Sequence, residues 1–138
     1  MSINGVPLSN GVILPFEKSQ QNPVLKFKRS PNDNYTIIAV DPDAPSKTNP
    51  INKHWLHLLI INNNNRIVKY QKPAPPVGSG NHRYIFYLLK QKDILDGDHL
   101  ELARDNNNKV IRQKFDLDKF IADNNLSVVD FIYFETSR

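Results

Sequence analysis

The sequence contains no cysteine, and in 138 residues it has only one tryptophan, one methionine and five glycines. Without cysteine there is no disulfide scaffold, no thiol nucleophile, no iron–sulfur cluster and no cysteine zinc site. Long apolar runs are also missing, since runs such as residues 58–61 are far shorter than the ~20 residues of a membrane helix. The first ten residues have no basic start and no long apolar segment, as a signal peptide would. We therefore expect a soluble, cytoplasmic protein without a transmembrane segment.

Length and charge place the chain among small globular proteins. A chain of 138 residues rarely divides its core, so we predict a single domain over residues 1–138. The net charge of +4 favours anionic partners through long-range attraction. Lysine and arginine are scattered, however, and the densest basic group, residues 26–29, predicts a strand with one solvated face. No nucleic-acid partner is therefore expected.

Apolar runs rich in β-branched and aromatic residues predict a mostly-β chain. Five strands are predicted, at residues 35–40, 55–61, 66–70, 83–89 and 128–134. The asparagine run at residues 62–65 predicts a turn between two of them, because asparagine tolerates left-handed backbone conformations.

Helical periodicity is confined to short segments near the end of the chain. Apolar residues follow the i, i+3, i+4 pattern at Leu117, Phe120 and Ile121. Asp116 is a suitable N-cap, and the asparagines at 124–125 are a suitable stop. A shorter helix is predicted around residues 93–95. The prediction is thus a β fold with one or two small helices.

Polar residues stand at the end of one predicted strand and inside another. Asp41 follows the first strand and opens a rigid Asp-Pro corner that also contains Asp43. A turn is the simpler interpretation of that corner, although rigid corners at strand ends also hold functional sites. Because strand residues alternate faces, Trp55, His57 and Leu59 are predicted to share one side. Taken alone, His57 is interpreted as a buried histidine that needs hydrogen-bond partners.

His82 separates a loop rich in proline and glycine, residues 73–81, from the fourth predicted strand. It shares a face with Tyr84, and the loop glycines let backbone N–H groups approach an anion. These features predict several hydrogen-bond donors and no nucleophile–base pair. A metal site is not predicted, because His54 and His57 would lie on opposite faces of a strand.

Three motifs resemble, in this order, the signatures of the phosphatidylethanolamine-binding protein family: DPDAPS at residues 41–46, WLH at 55–57 and GSGNHRY at 78–84. Similarity at residues 22–27 and 115–120 extends the resemblance over nearly the whole chain. The set of motifs is specific, so a chance match to all of them is improbable.

The family resemblance implies a large antiparallel β-sheet packed on a smaller sheet, with few peripheral helices. It also implies cis peptide bonds at residues 44–45 and just before residue 54. Leu56 stands where the family commonly has a second histidine, which alters the expected polarity of the pocket. The sequence stops four residues after the last predicted strand, so we expect a short member without the C-terminal helix of the longest relatives.

The resemblance further implies a pocket at the strand ends that binds phosphate-type anions. The ligand-binding residues it implies are Asp41, Asp43, Trp55, His57, Ala74, Pro75, Gly78, His82 and Tyr84. No cofactor, metal or catalytic residue is implied. We therefore predict a non-enzymatic module that binds phosphorylated or anionic head groups, such as phosphoethanolamine or phosphate, and modulates signalling.

Two alternative functions stay open at this point. The first is an inhibitor or scaffold that acts on a protein partner, such as a kinase or a protease, through surface loops. The second is an enzyme that uses Asp41 with His57 or His82 as an acid–base pair. Membership of a fold family does not by itself establish an activity.

Overall fold

A six-stranded β-sheet forms the centre of the molecule in the computed structural model, which describes residues 1–138. The strands are β1 (Ser2–Ile3), β2 (Val6–Pro7), β3 (Val12–Ile13), β4 (Tyr35–Asp41), β5 (Trp55–Ile61), β6 (Asn65–Val68), β7 (His82–Gln91) and β8 (Leu126–Thr136). The large sheet has the order β3-β8-β7-β4-β5-β6, and β1 pairs with β2 in a second sheet. The predicted mostly-β architecture with two sheets is confirmed. One pair departs from the antiparallel prediction, because β3 runs parallel to β8.

Two short helices lie outside the sheets, α1 (Phe16–Ser19) and α2 (Leu117–Asp123). The prediction of α2 and of its N-cap is confirmed, because the Asp116 carboxylate accepts a hydrogen bond from the Lys119 backbone N–H at 3.1 Å. Asn124 occupies the C-cap position. Neither helix approaches the length and hydrophobicity needed to span a bilayer.

Two local predictions are wrong. In place of the helix predicted around residues 93–95, the chain forms only a 3₁₀ turn at Gly97–His99. The Asn62 side chain accepts from the Leu95 N–H at 3.0 Å and donates to the Leu95 carbonyl at 2.8 Å, so neither backbone group is free for a helix. Residues 26–29 form no strand either, because they have no ladder partner, although their side chains still alternate in burial.

Both faces of the large sheet are covered by other parts of the chain. On one face, Leu56 and Leu59 belong to a buried cluster that includes Phe120 of α2. On the opposite face, Phe86 belongs to a second cluster with Ile3 of the small sheet. Because the central strands β4, β5 and β7 are buried on both sides, they are rich in apolar residues throughout.

A β-bulge in β5 determines where His57 points. The pairing of β4 with β5 shifts between Ala39 and Val40, so that His57 is an extra residue in β5. The His57 ring meets Tyr84 on one face, with 5.2 Å between ring centroids, whereas Leu59 packs in the core on the other face. The prediction that His57 and Leu59 share a side is therefore wrong, because a bulge shifts the alternation by one residue.

Candidate functional site

A cavity of about 230 Å³ opens at the end of the large sheet where β4 stops and where β5 and β7 begin. Most of the predicted site residues line it, namely Asp41, Trp55, His57, Ala74, Pro75, His82 and Tyr84. Asp43 and Gly78 do not line it. The cavity is completed by residues that we did not assign to the site from the sequence, namely Ala44, Pro45, Asn52, Gln71, Lys72 and Pro76.

Asp43 is turned to Arg83 and not to the cavity. The Arg83 guanidinium donates from Nε and Nη2 to the two carboxylate oxygens at 3.0 and 2.8 Å, and its backbone N–H donates at 2.9 Å. Burial alone would raise the pKa of Asp43, but the hydrogen bonds and the charge of Arg83 outweigh it and hold the pKa below its usual value. Asp43 therefore fastens the corner after β4 to the start of β7. Within that corner the Ala44–Pro45 peptide bond is cis, and so is the Lys53–His54 bond that precedes β5.

A buried chain of hydrogen bonds runs from Asp41 through His82 to Ser79. The Asp41 Oδ2 and His82 Nδ1 atoms lie 2.7 Å apart, and the Asp41 Oδ1 atom accepts from the Asp43 N–H at 2.7 Å. Burial raises the pKa of Asp41, and its hydrogen bonds with His82 and the Asp43 N–H offset part of that rise. Asp41 thus orients His82 and has no oxygen free of a protein partner.

The proton of the Ser79 hydroxyl fixes the role of the second His82 nitrogen. Ser79 Oγ lies 2.6 Å from the Pro76 carbonyl oxygen, which can only accept, so the hydroxyl proton points there. His82 Nε2 lies 2.9 Å from the same Oγ and must therefore be the donor in that contact. Both nitrogens of His82 are consequently engaged within the protein.

His57 is held by a backbone carbonyl. Its Nδ1–H donates to the Gln71 carbonyl oxygen at 2.6 Å. Burial lowers the pKa of His57 to about 4, with the charges of Arg112 and His82 acting in the same direction. The ring is therefore neutral at neutral pH, and its Nε2 presents a lone pair. The rim next to it is Trp55, whose Nε1–H donates to the Gln71 side chain at 2.7 Å.

The loop that forms the other wall of the cavity is anchored on both sides of Ala74. The Gln20 side chain donates to the Pro73 carbonyl at 2.8 Å, and Arg138 Nε donates to the Pro75 carbonyl at 3.1 Å. The Arg138 guanidinium also lies 5.1 Å from the centroid of the Phe16 ring, in a cation–π contact. Ala74 lines the cavity, and its N–H has no acceptor in the protein. The hydrogen bonds to the Pro73 and Pro75 carbonyls restrict the orientation of this N–H.

The Tyr84 hydroxyl and the His57 Nε2 also have no hydrogen-bond partner in the protein. Tyr70 Oη is the only fully buried side-chain polar atom without a hydrogen bond, so the Tyr84 and His57 atoms are not fully buried. Because both residues line the cavity, we infer that these two atoms face its open space. Burial raises the pKa of Tyr84, which keeps its hydroxyl protonated as a donor.

Some site residues had no sequence signal. Gln71 acts on His57 through its backbone carbonyl, which no side-chain pattern reveals. Ser79 stands three residues before His82 and was not assigned to the site from the sequence, yet its hydroxyl oxygen contacts the imidazole Nε2 at 2.9 Å. No group of three or more histidine, aspartate or glutamate side chains lies close enough together to hold a metal ion.

Comparisons with known proteins agree with this fold. The chain is 49% identical over 136 residues to a phosphatidylethanolamine-binding protein homolog of Acanthamoeba polyphaga mimivirus. This alignment covers 99% of this chain and 94% of the relative. It is 29% identical to the carboxypeptidase Y inhibitor of Saccharomyces cerevisiae, over 96% of this chain and 81% of the inhibitor.

Solved structures show the same architecture. The crystal structure of carboxypeptidase Y inhibitor complexed with the cognate proteinase superposes with a TM-score of 0.70 at 27% identity, covering 92% of this chain and 76% of the other. The phosphatidylethanolamine-binding protein from Plasmodium vivax superposes with a TM-score of 0.66 at 21% identity, covering 93% and 78%. The family model described as phosphatidylethanolamine-binding protein matches residues 5–64 and 61–134. The chain that builds this cavity therefore belongs to the phosphatidylethanolamine-binding protein family.

Proposed function

We propose that this protein binds the phosphate, or a similar small anionic group, of a head group such as phosphoethanolamine, and that it does not transform it. Family membership and the likeness to a protease inhibitor fit a non-enzymatic binding or inhibitory role. The observation that supports the proposal is the balance of charges and donors in the cavity. Asp41, the carboxylate that lines the cavity, is already hydrogen-bonded by the protein, whereas two donors, the Tyr84 hydroxyl and the Ala74 N–H, have no acceptor.

The charges near the cavity favour an anion. Asp41 is bonded to His82, and Asp43 outside the cavity is bonded to Arg83, so an entering anion meets no uncompensated carboxylate. Lys72 supplies a positive charge at the rim. The net charge of +4 adds a long-range attraction of the same sign.

The free donors match the oxygens of a phosphate. Tyr84 and Ala74 both line the cavity, and neither the Tyr84 hydroxyl nor the Ala74 N–H has an acceptor in the protein. Hydrogen bonds from such groups to an ionised oxygen are short and about twice as strong as those between neutral partners. Tyr84 is buried and the carbonyls on both sides of Ala74 are hydrogen-bonded, so these two donors can serve one or two anionic oxygens.

The arrangement of Ser79, His82 and Asp41 supports binding over catalysis. A serine nucleophile needs a histidine nitrogen that accepts its proton. Here the Ser79 proton goes to the Pro76 carbonyl, and His82 Nε2 is the donor to Ser79. The three side chains therefore form a structural chain of hydrogen bonds in which the serine is not activated.

Calorimetric titration with O-phosphoethanolamine at pH 6 tests the proposal. The parent protein is expected to bind, and Tyr84→Phe is expected to weaken binding by about 10- to 150-fold, because it removes one hydrogen bond to a charged oxygen worth about 1.5–3 kcal/mol. Tyr87→Phe is the matched control, since Tyr87 lies on the same strand and packs against the other face of the sheet. No binding by the parent, or equal affinity in Tyr84→Phe, would contradict the proposal.

Protease inhibition is a second candidate, favoured by the 29% identity to carboxypeptidase Y inhibitor over nearly the whole chain. A protease or another protein partner such as a kinase would then be bound by surface loops. The two functions can be distinguished by measuring the peptidase activity of carboxypeptidase Y with increasing amounts of this protein. Inhibition that is the same for the parent and for Tyr84→Phe would indicate a surface mechanism that is independent of the cavity.

A further inference from the structure

The positions of the protons in the cavity restrict the form of anion that it accepts, an inference that rests on the proposed function. We propose that the cavity selects a phosphate monoester in its hydrogen-phosphate form, whose P–O–H group donates to His57 Nε2. Dianions and phosphodiesters, which carry no such proton, are discriminated against. The same chemistry applies whether the monoester is a free metabolite or is attached to a larger molecule.

The first step concerns the tautomer of His57. The Gln71 carbonyl oxygen has no proton to give, so the 2.6 Å contact requires the proton on Nδ1. A neutral imidazole carries one proton only. Its Nε2 is then an acceptor, and this nitrogen faces the cavity without a protein partner.

The second step concerns whether His57 could become charged instead. Burial lowers its pKa to about 4, so the cationic form is rare above pH 6. The titratable and charged groups around the ring are Asp41 of β4, His82 and Tyr84 of β7, Arg112 of the segment before α2, and Lys72 at the rim. Arg112 donates to the His57 carbonyl at 3.3 Å and opposes a further positive charge. Asp41, the carboxylate that lines the cavity, is fully engaged by His82 and the Asp43 N–H.

The third step concerns the ligand. A phosphate dianion and a phosphodiester offer only acceptor oxygens, so either one would place a lone pair against the lone pair of Nε2. A monoester has a second pKa of about 6 and carries one proton below it. Above that pH a monoester must take up one proton in order to bind, and its affinity falls by a factor of ten for each further pH unit.

Ethyl phosphate is a suitable probe because it has no hydrogen-bond donor other than its own P–O–H group. Calorimetry on the full chain is done at pH 6 and pH 8, and at pH 8 in two buffers with different ionisation enthalpies. We expect affinity to fall about 50-fold between the two pH values, and about one proton to be taken up per ligand at pH 8. Ethyl sulfate and diethyl phosphate, which carry no proton at either pH, are expected to bind weakly at both.

The outcomes separate this inference from the proposed function. If ethyl phosphate binds with the same affinity at pH 6 and pH 8 and without proton uptake, the selection of the hydrogen-phosphate form is wrong while anion binding stands. Equal binding of ethyl sulfate and ethyl phosphate at pH 6 would overturn it as well. If none of these anions binds at either pH, the proposed function itself fails.

A substitution at His57 tests the atom that receives the proton. In His57→Gln an amide stands near the position of Nε2 and can donate, so proton uptake and the pH dependence of affinity are expected to disappear. His99→Gln is the matched control, because His99 is an exposed histidine outside the cavity that contacts Asp96. Proton uptake that persists in His57→Gln would place the proton on another group and overturn the proposal. The measurements on the parent decide the question even if His57→Gln does not fold.

Discussion

Asp41→Ala is expected to lower the free energy of unfolding by about 3–5 kcal/mol, the cost of removing one partner from a buried pair. The carboxylate contacts His82 Nδ1 and the Asp43 N–H, both at 2.7 Å. His82 is only 1% exposed, so water cannot replace the lost acceptor. Urea unfolding at pH 7, followed by circular dichroism, measures the change.

Two variants show whether the loss comes from the buried pair. Asp41→Asn keeps an acceptor for the Asp43 N–H and offers an N–H to His82 Nδ1, while His82 Nε2 still donates to Ser79. We expect it to cost about 1 kcal/mol. Asp130→Ala removes an exposed carboxylate that accepts from the Phe131 N–H, and it should cost less than about 1 kcal/mol. A loss for Asp41→Ala as small as for Asp130→Ala would contradict the expectation.

Acidification is expected to destabilise the protein through His57. The pKa of this ring is about 4 in the folded protein, against 6.5 for an ordinary histidine, so the unfolded chain binds the proton more readily. The contribution of neutral His57 to the stability of the folded protein is fully present above pH 6.5 and is lost as the pH falls to 4. With 1.36 kcal/mol for each pKa unit, the loss is about 3 kcal/mol.

The contribution of His57 is isolated by comparison with a variant. Burial raises the pKa of Asp41, so its titration acts in the opposite direction, whereas the pKa of Asp43 is held below its usual value and its contribution is lost only at lower pH. Between pH 7 and pH 4 the parent should therefore lose about 3 kcal/mol more of its unfolding free energy than His57→Gln loses. A difference that stays constant with pH would show that His57 is not held neutral by burial.

Much of the fold could be predicted from the sequence because the signals are local. Runs of β-branched and aromatic residues identified the five long strands to within a few residues, from β4 to β8. The apolar period and the Asp116 cap identified α2. The failures occurred where distant partners decide the structure. Asn62 takes the backbone groups of Leu95, and residues 26–29 have a suitable alternation but no neighbouring strand.

The candidate site divides in the same way. Motifs at strand ends pointed to Asp41, His57, His82 and Tyr84, and these four side chains line one cavity in the structure. The bulge that directs His57 has no signal in an alternating pattern, because one extra residue is visible only against its partner strand. Residue type alone also could not show that the Asp43 carboxylate is bound by the Arg83 guanidinium and so does not face the cavity.

The anchored loop around Ala74 affects the thermodynamics of binding. Prolines on both sides restrict its backbone, and Gln20 and Arg138 hold the neighbouring carbonyls before any ligand arrives. The conformational entropy of this wall has therefore been lost during folding and is not lost again on association. For the proposed anion this preorganisation lowers the entropy lost on association, and discrimination between ligands then depends on hydrogen-bond matching and not on loop closure.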